Sequence, residues 1–328
     1  MRSYKLKKLT ATFMTVLMLR NLQSFPSKLN TFLFDKNNFE QLGLFRIILC
    51  GTLFYMACFR QFNIDQLGPN SLLPRDLALT VFPDFYRPLV QWFFWPDVYV
   101  GTVHMILISL LFLATIGLIN RPLLLITWII HQGILNRNYA ILFGADVIGG
   151  LFLFYLCFTN CTRYLSVRNL IFKKPVLEDH HVTDYVSAIF FRIAQVQICT
   201  IYMYTGFEKL KGNTWWDGTA LWTVFANPQF SQFDFKFLSH VPLFFVLSTF
   251  LSVLFEIYFA PMMLHKTYRK YWLLAGVIFH ISIGILLGLM AFSLVMLSTY
   301  VLFIDREQVQ LKVKWFKDVF TSKKTVSV

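Results

Sequence analysis

Charged residues are scarce in this chain. Asp, Glu, Lys and Arg make up 14% of its 328 residues, against roughly 25% in an average soluble domain. That is too few to clothe a water-soluble protein of this size. Disorder is excluded for the opposite reason: a chain that is 56% hydrophobic has far more apolar surface than a disordered one carries. Glycine-rich phosphate loops, HExxH and G-x-S-x-G are absent, so ATP-driven transport, metalloprotease and serine-lipase chemistry lack their machinery. Cysteine is sparse too. Cys50, Cys58, Cys157, Cys161 and Cys199 are odd in number and lie in or beside apolar stretches, which argues against a disulfide framework. Cys157 and Cys161 are one helical turn apart, but without a neighbouring His or Asp they make a poor metal site. Glu178-Asp179-His180-His181 with Asp184 carries metal-type ligands in what reads as a solvated loop, so no metal is expected.

What is abundant is apolar bulk, with 37 phenylalanines and 18% aromatic residues. The class this implies is an all-α multipass transmembrane bundle, since unpaired backbone groups cannot face lipid and about 20 apolar residues cross a bilayer as a helix. Eight candidate spans can be drawn, at 44–60, 99–119, 122–136, 143–162, 185–206, 243–264, 271–287 and 289–304. Pro122 falls where a first-turn proline is tolerated, and Gly284 and Gly288 form a GxxxG pair suited to close helix packing. The run Trp92-Phe93-Phe94-Trp95 sits where an interfacial aromatic belt is expected. Residues 1–40 read as a basic segment with an interfacial helix over Leu9–Leu19, 41–305 as one membrane domain, and 306–328 as a basic tail.

The balance of 30 basic to 17 acidic residues is explained by membrane topology and not by nucleic acid. With the N-terminus in the cytoplasm, 21 basic residues fall in inner segments, 7 in outer loops, and Arg46 and Arg192 within spans. This follows the positive-inside rule and places both termini in the cytoplasm. The membrane is the plasma membrane in a bacterium and the endoplasmic reticulum in a eukaryote.

Ionisable groups within spans are costly and are functional candidates. Depth counting puts Arg192 and Glu256 at a similar level near the inner side, which predicts a structural ion pair between them. Arg46 is close enough to the inner surface to snorkel. The outer half collects His104, His131, Asn138, Asp146, Tyr202 and Tyr204, and the fifth span exits through Glu208, Lys209 and Lys211. A cleft there would hold groups able to donate, accept and titrate. A lysine shielded beside apolar walls can act as a base.

Three segments resemble the horizontally transferred transmembrane (HTTM) domain, the membrane region shared with vitamin K-dependent gamma-carboxylases. The first is Asn136-Arg137-Asn138 through Gly144-Ala145-Asp146. The second runs from Tyr202-x-Tyr204-Thr205-Gly206-Phe207-Glu208-Lys209-Leu210 to Trp215-Trp216-Asp217-Gly218. The third combines Glu256-x4-Pro261 with His280 and the run from Leu289 to Asp305, and Leu44-Phe45-Arg46 also fits. Together they cover roughly residues 40–305. The resemblance implies that Lys209 is the base that deprotonates a reduced quinone such as vitamin K. Oxygenation by O₂ then yields a stronger base, which takes a γ-proton from a peptide glutamate, and CO₂ captures the carbanion. His131, Asp146 and Tyr202 would orient the base.

The chain departs from the carboxylases in three respects. Glu208 precedes Lys209 where they carry a second lysine, Tyr139 stands at the place of their functional histidine, and only 24 residues follow the last candidate span. The large propeptide-binding region of the carboxylases is therefore not expected. The expected function is a quinol-dependent, carboxylase-like lyase that modifies an exported peptide in a lipid environment. The alternative is a non-enzymatic protein supporting maturation or export of a secreted peptide, as in a bacterial sporulation-delaying toxin system. A solute carrier lacks the broken-helix pair it would need.

Overall fold

The computed structural model describes residues 30, 32–35, 39–68, 71, 73–91, 96–138, 141–172, 182–312 and 314. The expected interfacial helix at 9–19, the aromatic run at 92–95, Tyr139, the 178–181 cluster and the end of the tail lie outside the described residues. Among the described residues the chain is all-helical. Eight principal helices are α1 (Phe39–Gln61), α2 (Val100–Ile116), α3 (Arg121–Arg137), α4 (Gly144–Cys157), α5 (Val182–Lys209), α6 (Pro242–Leu264), α7 (Lys266–Leu286) and α8 (Met290–Tyr300). Each overlaps one candidate span. Four of them, α1, α5, α6 and α7, are long and apolar enough to cross a membrane, while α2, α4 and α8 with its following turn are apolar but shorter.

Local chemistry sets the boundaries. Asn120 caps α3 by accepting a 2.9 Å hydrogen bond from the Leu123 amide, and Pro122 sits in the first turn, where its missing N–H costs nothing. Gly117 ends α2 in the left-handed region at φ 76°, a conformation glycine adopts without strain. Gly288, expected to pack within a helix, instead turns the chain between α7 and α8 at φ 70°. Its GxxxG partner Gly284 does face α8, against Met290 and Ser293.

Antiparallel pairs α1–α2, α5–α6 and α7–α8 make the closest packing, and α4 and α8 lie against α1. Between them is a core that includes Phe45, Leu49, Phe152, Ile198, Phe259 and Val295, all essentially inaccessible. Aliphatic residues on α7 such as Leu274, Ile278, Ile281 and Ile285 face outward, as a lipid-facing helix requires. All five cysteines are free.

Two expectations about arginines are corrected. Arg46 does not snorkel: it is fully buried. Its guanidinium donates to the carbonyls of Ala114 and Thr115 at 2.6 Å, Leu165 at 2.6 Å and Cys161 at 3.1 Å. Ala114 and Thr115 end α2, where unpaired carbonyls and the helix dipole favour a cation. Arg192 does not pair with Glu256 either. It donates to the Phe32 carbonyl at 2.7 Å and to Gln195 at 2.8 Å, with Asp35 3.9 Å away.

The depth counting failed because α5 and α6 do not start level. α5 ends at Lys209 beside the middle of α6, where Gly206 touches Glu256 and Ile257. Glu256 lies fourteen residues past Pro242, about 21 Å along the helix. The first half of α6 is covered instead by the segment joining it to α5, with short helices Asn213–Trp216 and Ala220–Ala226. There Thr249 donates to the Gly218 carbonyl and accepts from the Leu221 amide, and Trp222 packs edge-on to Phe245.

Candidate functional site

Lys209, the last residue of α5, reaches Glu256 of α6 and donates to both carboxylate oxygens. The pair exists because Gly206 brings the backbones together: a Cβ there would lie 3.0 Å from the Ile257 amide nitrogen. The Glu256 side chain is 6% exposed and that of Lys209 22%, so the pair opens on the lysine side. Trp215, from the segment after α5, lies 5.2 Å from the ammonium, in cation–π range. An ammonium has three N–H donors. Glu256 takes two, and the third has no acceptor among the described residues.

Beneath the pair lies a buried hydroxyl–imidazole group. The Tyr202 hydroxyl is 2.5 Å from Nε2 of His280 and 2.7 Å from the Tyr300 hydroxyl. The Tyr202 ring stacks on Phe259 at 4.1 Å. Nδ1 of His280 and the Ser293 hydroxyl of α8 are buried and have no hydrogen-bond partner among the described residues. Buried polar groups of this kind are uncommon in well-packed structures.

A second polar group is built by α1 to α4. Arg60, near the end of α1, binds Asp146 at 2.7 Å. The other oxygen of Asp146 accepts from the Phe143 amide at 3.1 Å, closing the first turn of α4. His104 and Gln61 meet at 2.8 Å. His131 of α3 is buried, and its Nδ1 has no hydrogen-bond partner among the described residues. Arg137 and Asn138 tie the end of α3 to the carbonyls of Leu73 and Gln66.

The expected site residues are thus distributed over two groups. Lys209 joins Glu256, with Tyr202 below, while His131 and Asp146 belong to the Arg60 group. The two share one end of the bundle, where Gly144 at the start of α4 touches Phe292 near the start of α8, and Phe292 in turn packs on His280. Lys209 is committed to Glu256 and Asp146 to Arg60, so neither His131 nor Asp146 is the group that holds the lysine.

Sequence reasoning missed Glu256 as the partner of Lys209, Arg60 as the partner of Asp146, and Tyr300. The signal for the first was present: Glu256 is a lone acid in an apolar helix, and such an acid needs a cation. Among the described residues no cluster of three or more His, Cys, Asp or Glu side chains could hold a metal.

Comparison with known proteins adds a family. The HTTM domain matches residues 34–307. Sporulation-delaying protein SdpB of Bacillus subtilis (strain 168) is 26% identical over 133 residues, which is 39% of this chain and 41% of that protein. The match therefore spans less than half the length of that relative. No solved structure matches.

Proposed function

The chain belongs to the HTTM domain family, and on that premise we propose that it is an eight-span membrane protein with both termini in the cytoplasm, whose Lys209–Glu256 pair handles a proton for an apolar, weakly acidic cosubstrate. The observation that carries the reading is the pair itself. It is a lysine with one uncommitted N–H, opening beside an aromatic wall and bound to a carboxylate buried in the middle of a lipid-crossing helix.

The reading takes a quinol of the vitamin K type as the cosubstrate, because a lysine–carboxylate pair beside an indole suits an acidic hydroxyl on an apolar ring. A bound quinol would supply an acidic hydroxyl and, with O₂ and CO₂, the chemistry of glutamate carboxylation on an exported peptide. Glu256 would be the group that takes up a proton, and the Lys209 ammonium would face the cosubstrate oxygen. Charge stabilisation of this kind is strong where water is excluded. Trp215 holds an apolar ring over the opening. Tyr202, Tyr300 and His280 fix the floor of the site, and the Arg60–Asp146 and His131 group braces α1, α3 and α4.

Labelled CO₂ incorporation into peptide is the test, measured in membranes supplied with a reduced quinone. Wild type should incorporate label, and Lys209→Ala and Glu256→Gln should each lower incorporation by at least tenfold, the scale of a lost acid–base group. Incorporation that survives both substitutions sinks the assignment of the pair, and none in wild type with any quinol sinks the carboxylase reading.

The similarity to SdpB favours a second reading, in which the protein supports maturation or export of a secreted peptide without chemistry of its own. Under that reading Lys209→Ala leaves peptide output unchanged so long as the protein reaches the membrane.

A further inference from the structure

At the end of the bundle opposite Lys209 is a cleft that neither reading uses. It is lined by Asn120, Arg121, Thr159, Asn160, Thr162 and Arg168, and it lies at the start of α3. Arg121 is tied in place: it donates to the Thr159 carbonyl at 3.2 Å, to Asn160 at 2.5 Å and to the Thr183 carbonyl at 3.2 Å. Asn160 in turn bonds Asp184, which also holds Arg163 at 3.1 Å. Of the three arginines gathered here, Asp184 is the acid that balances one. Arg168 is exposed on the rim and has no carboxylate partner among the described residues. Among the described residues the cleft is thus net positive, with a tied guanidinium at its wall and an exposed one at its mouth. The Thr162 side chain also lines the cleft, and the positive end of a 17-residue helix dipole lies beside it, which favours an anion.

We propose that this cleft binds an organic phosphate, with the headgroup of an anionic phospholipid as its source. A planar guanidinium pairs with two phosphate oxygens at once, and basic pockets between membrane helices suit acidic headgroups. The proposal rests on this end of the bundle lying at the membrane surface. It does not depend on the chemistry at Lys209.

The test is titration of the full chain, purified in a neutral detergent, with dioctanoyl phosphatidylglycerol, dioctanoyl phosphatidylcholine and inorganic phosphate. The variants are Arg168→Gln and Thr162→Val, which leave the bonds of Arg121 intact. Phosphatidylglycerol should bind wild type at least about fivefold more tightly than phosphatidylcholine, and Arg168→Gln should remove about fivefold in affinity for it, the scale of one basic residue at an anionic surface. Thr162→Val should weaken it by a smaller factor. Inorganic phosphate that binds with the same dependence on Arg168, while phosphatidylglycerol shows no preference over phosphatidylcholine, keeps the anion site but overturns its lipid source. Equal affinities for all three ligands, or an Arg168→Gln variant indistinguishable from wild type, overturn the site.

Discussion

At the scale of single residues, the bundle is organised by a few buried polar side chains with named partners. Removing one member of a buried ion pair strands the other, a loss of about 3–5 kcal/mol when both are fully enclosed. The Lys209 side chain is 22% exposed, so Glu256→Leu should cost less, about 2 kcal/mol. Adding Lys209→Met to that variant should restore most of the loss, and thermal unfolding of the single and double variants measures it. If the double variant is no more stable than the single, the two side chains are not coupled as described.

Arg46 makes a harder demand. Lysine keeps the charge but cannot place N–H groups on four carbonyls at once, so Arg46→Lys should destabilise by at least about 1–3 kcal/mol, the cost of one stranded buried group. The sequence made both residues conspicuous, because an ionisable group in an apolar run always is. Their partners were not legible. Carbonyls leave no mark in a sequence, and the assignment of Arg192 to Glu256 assumed that neighbouring spans begin level.

At the scale of elements, that assumption fails because α5 is 28 residues long and ends partway down α6. Helix identity was readable from hydropathy, which is why each of the eight apolar runs became a helix. Relative height was not, since it depends on contacts such as Gly206 against Ile257. The crossing itself can be tested. Gly206→Leu places a side chain where a Cβ alone lies 2.8 Å from Ile257, and the nearest atoms include backbone that cannot turn aside. It should push α5 from α6, separate Lys209 from Glu256 and destabilise by about 1–3 kcal/mol. Exposed Phe207→Leu, on the same turn, should be near neutral.

The covering segment has its own switch. Asp217 accepts from the Thr219 hydroxyl and amide at 2.6 and 2.9 Å, and these bonds hold its carboxyl below the usual range. A depressed acid contributes stability above its unfolded value of about 3.9 and loses it as pH falls through the folded value. Amide exchange at Thr219 should therefore quicken, relative to neighbouring amides, only in acid below about pH 4. Asp217→Asn should remove that dependence.

At the scale of the whole molecule, the question is what solvent the outward faces were built for. A water-soluble bundle would turn charge outward, yet α7 shows Leu274, Ile278, Ile281 and Ile285 to its surroundings. The window of this helix that qualifies as a span is 17% buried within the protein, so most of its contact must come from elsewhere. Composition alone pointed to this class, while the expected orientation came from counting basic residues and is a separate claim. A single substitution tests the class. Ile278 lies near the middle of α7 and is 60% exposed; in water an arginine there would be close to neutral. In hydrocarbon the same arginine costs about 2.5–3.5 kcal/mol on insertion scales, enough to reduce the membrane-integrated yield severalfold. Leu311 is similarly exposed at 67% but lies past the last apolar helix, so Leu311→Arg should insert as wild type does. The comparison is read as the carbonate-resistant fraction of each variant. Equal fractions for both would mean that α7 does not face lipid, and the eight-span arrangement would lose the helix on which it most depends.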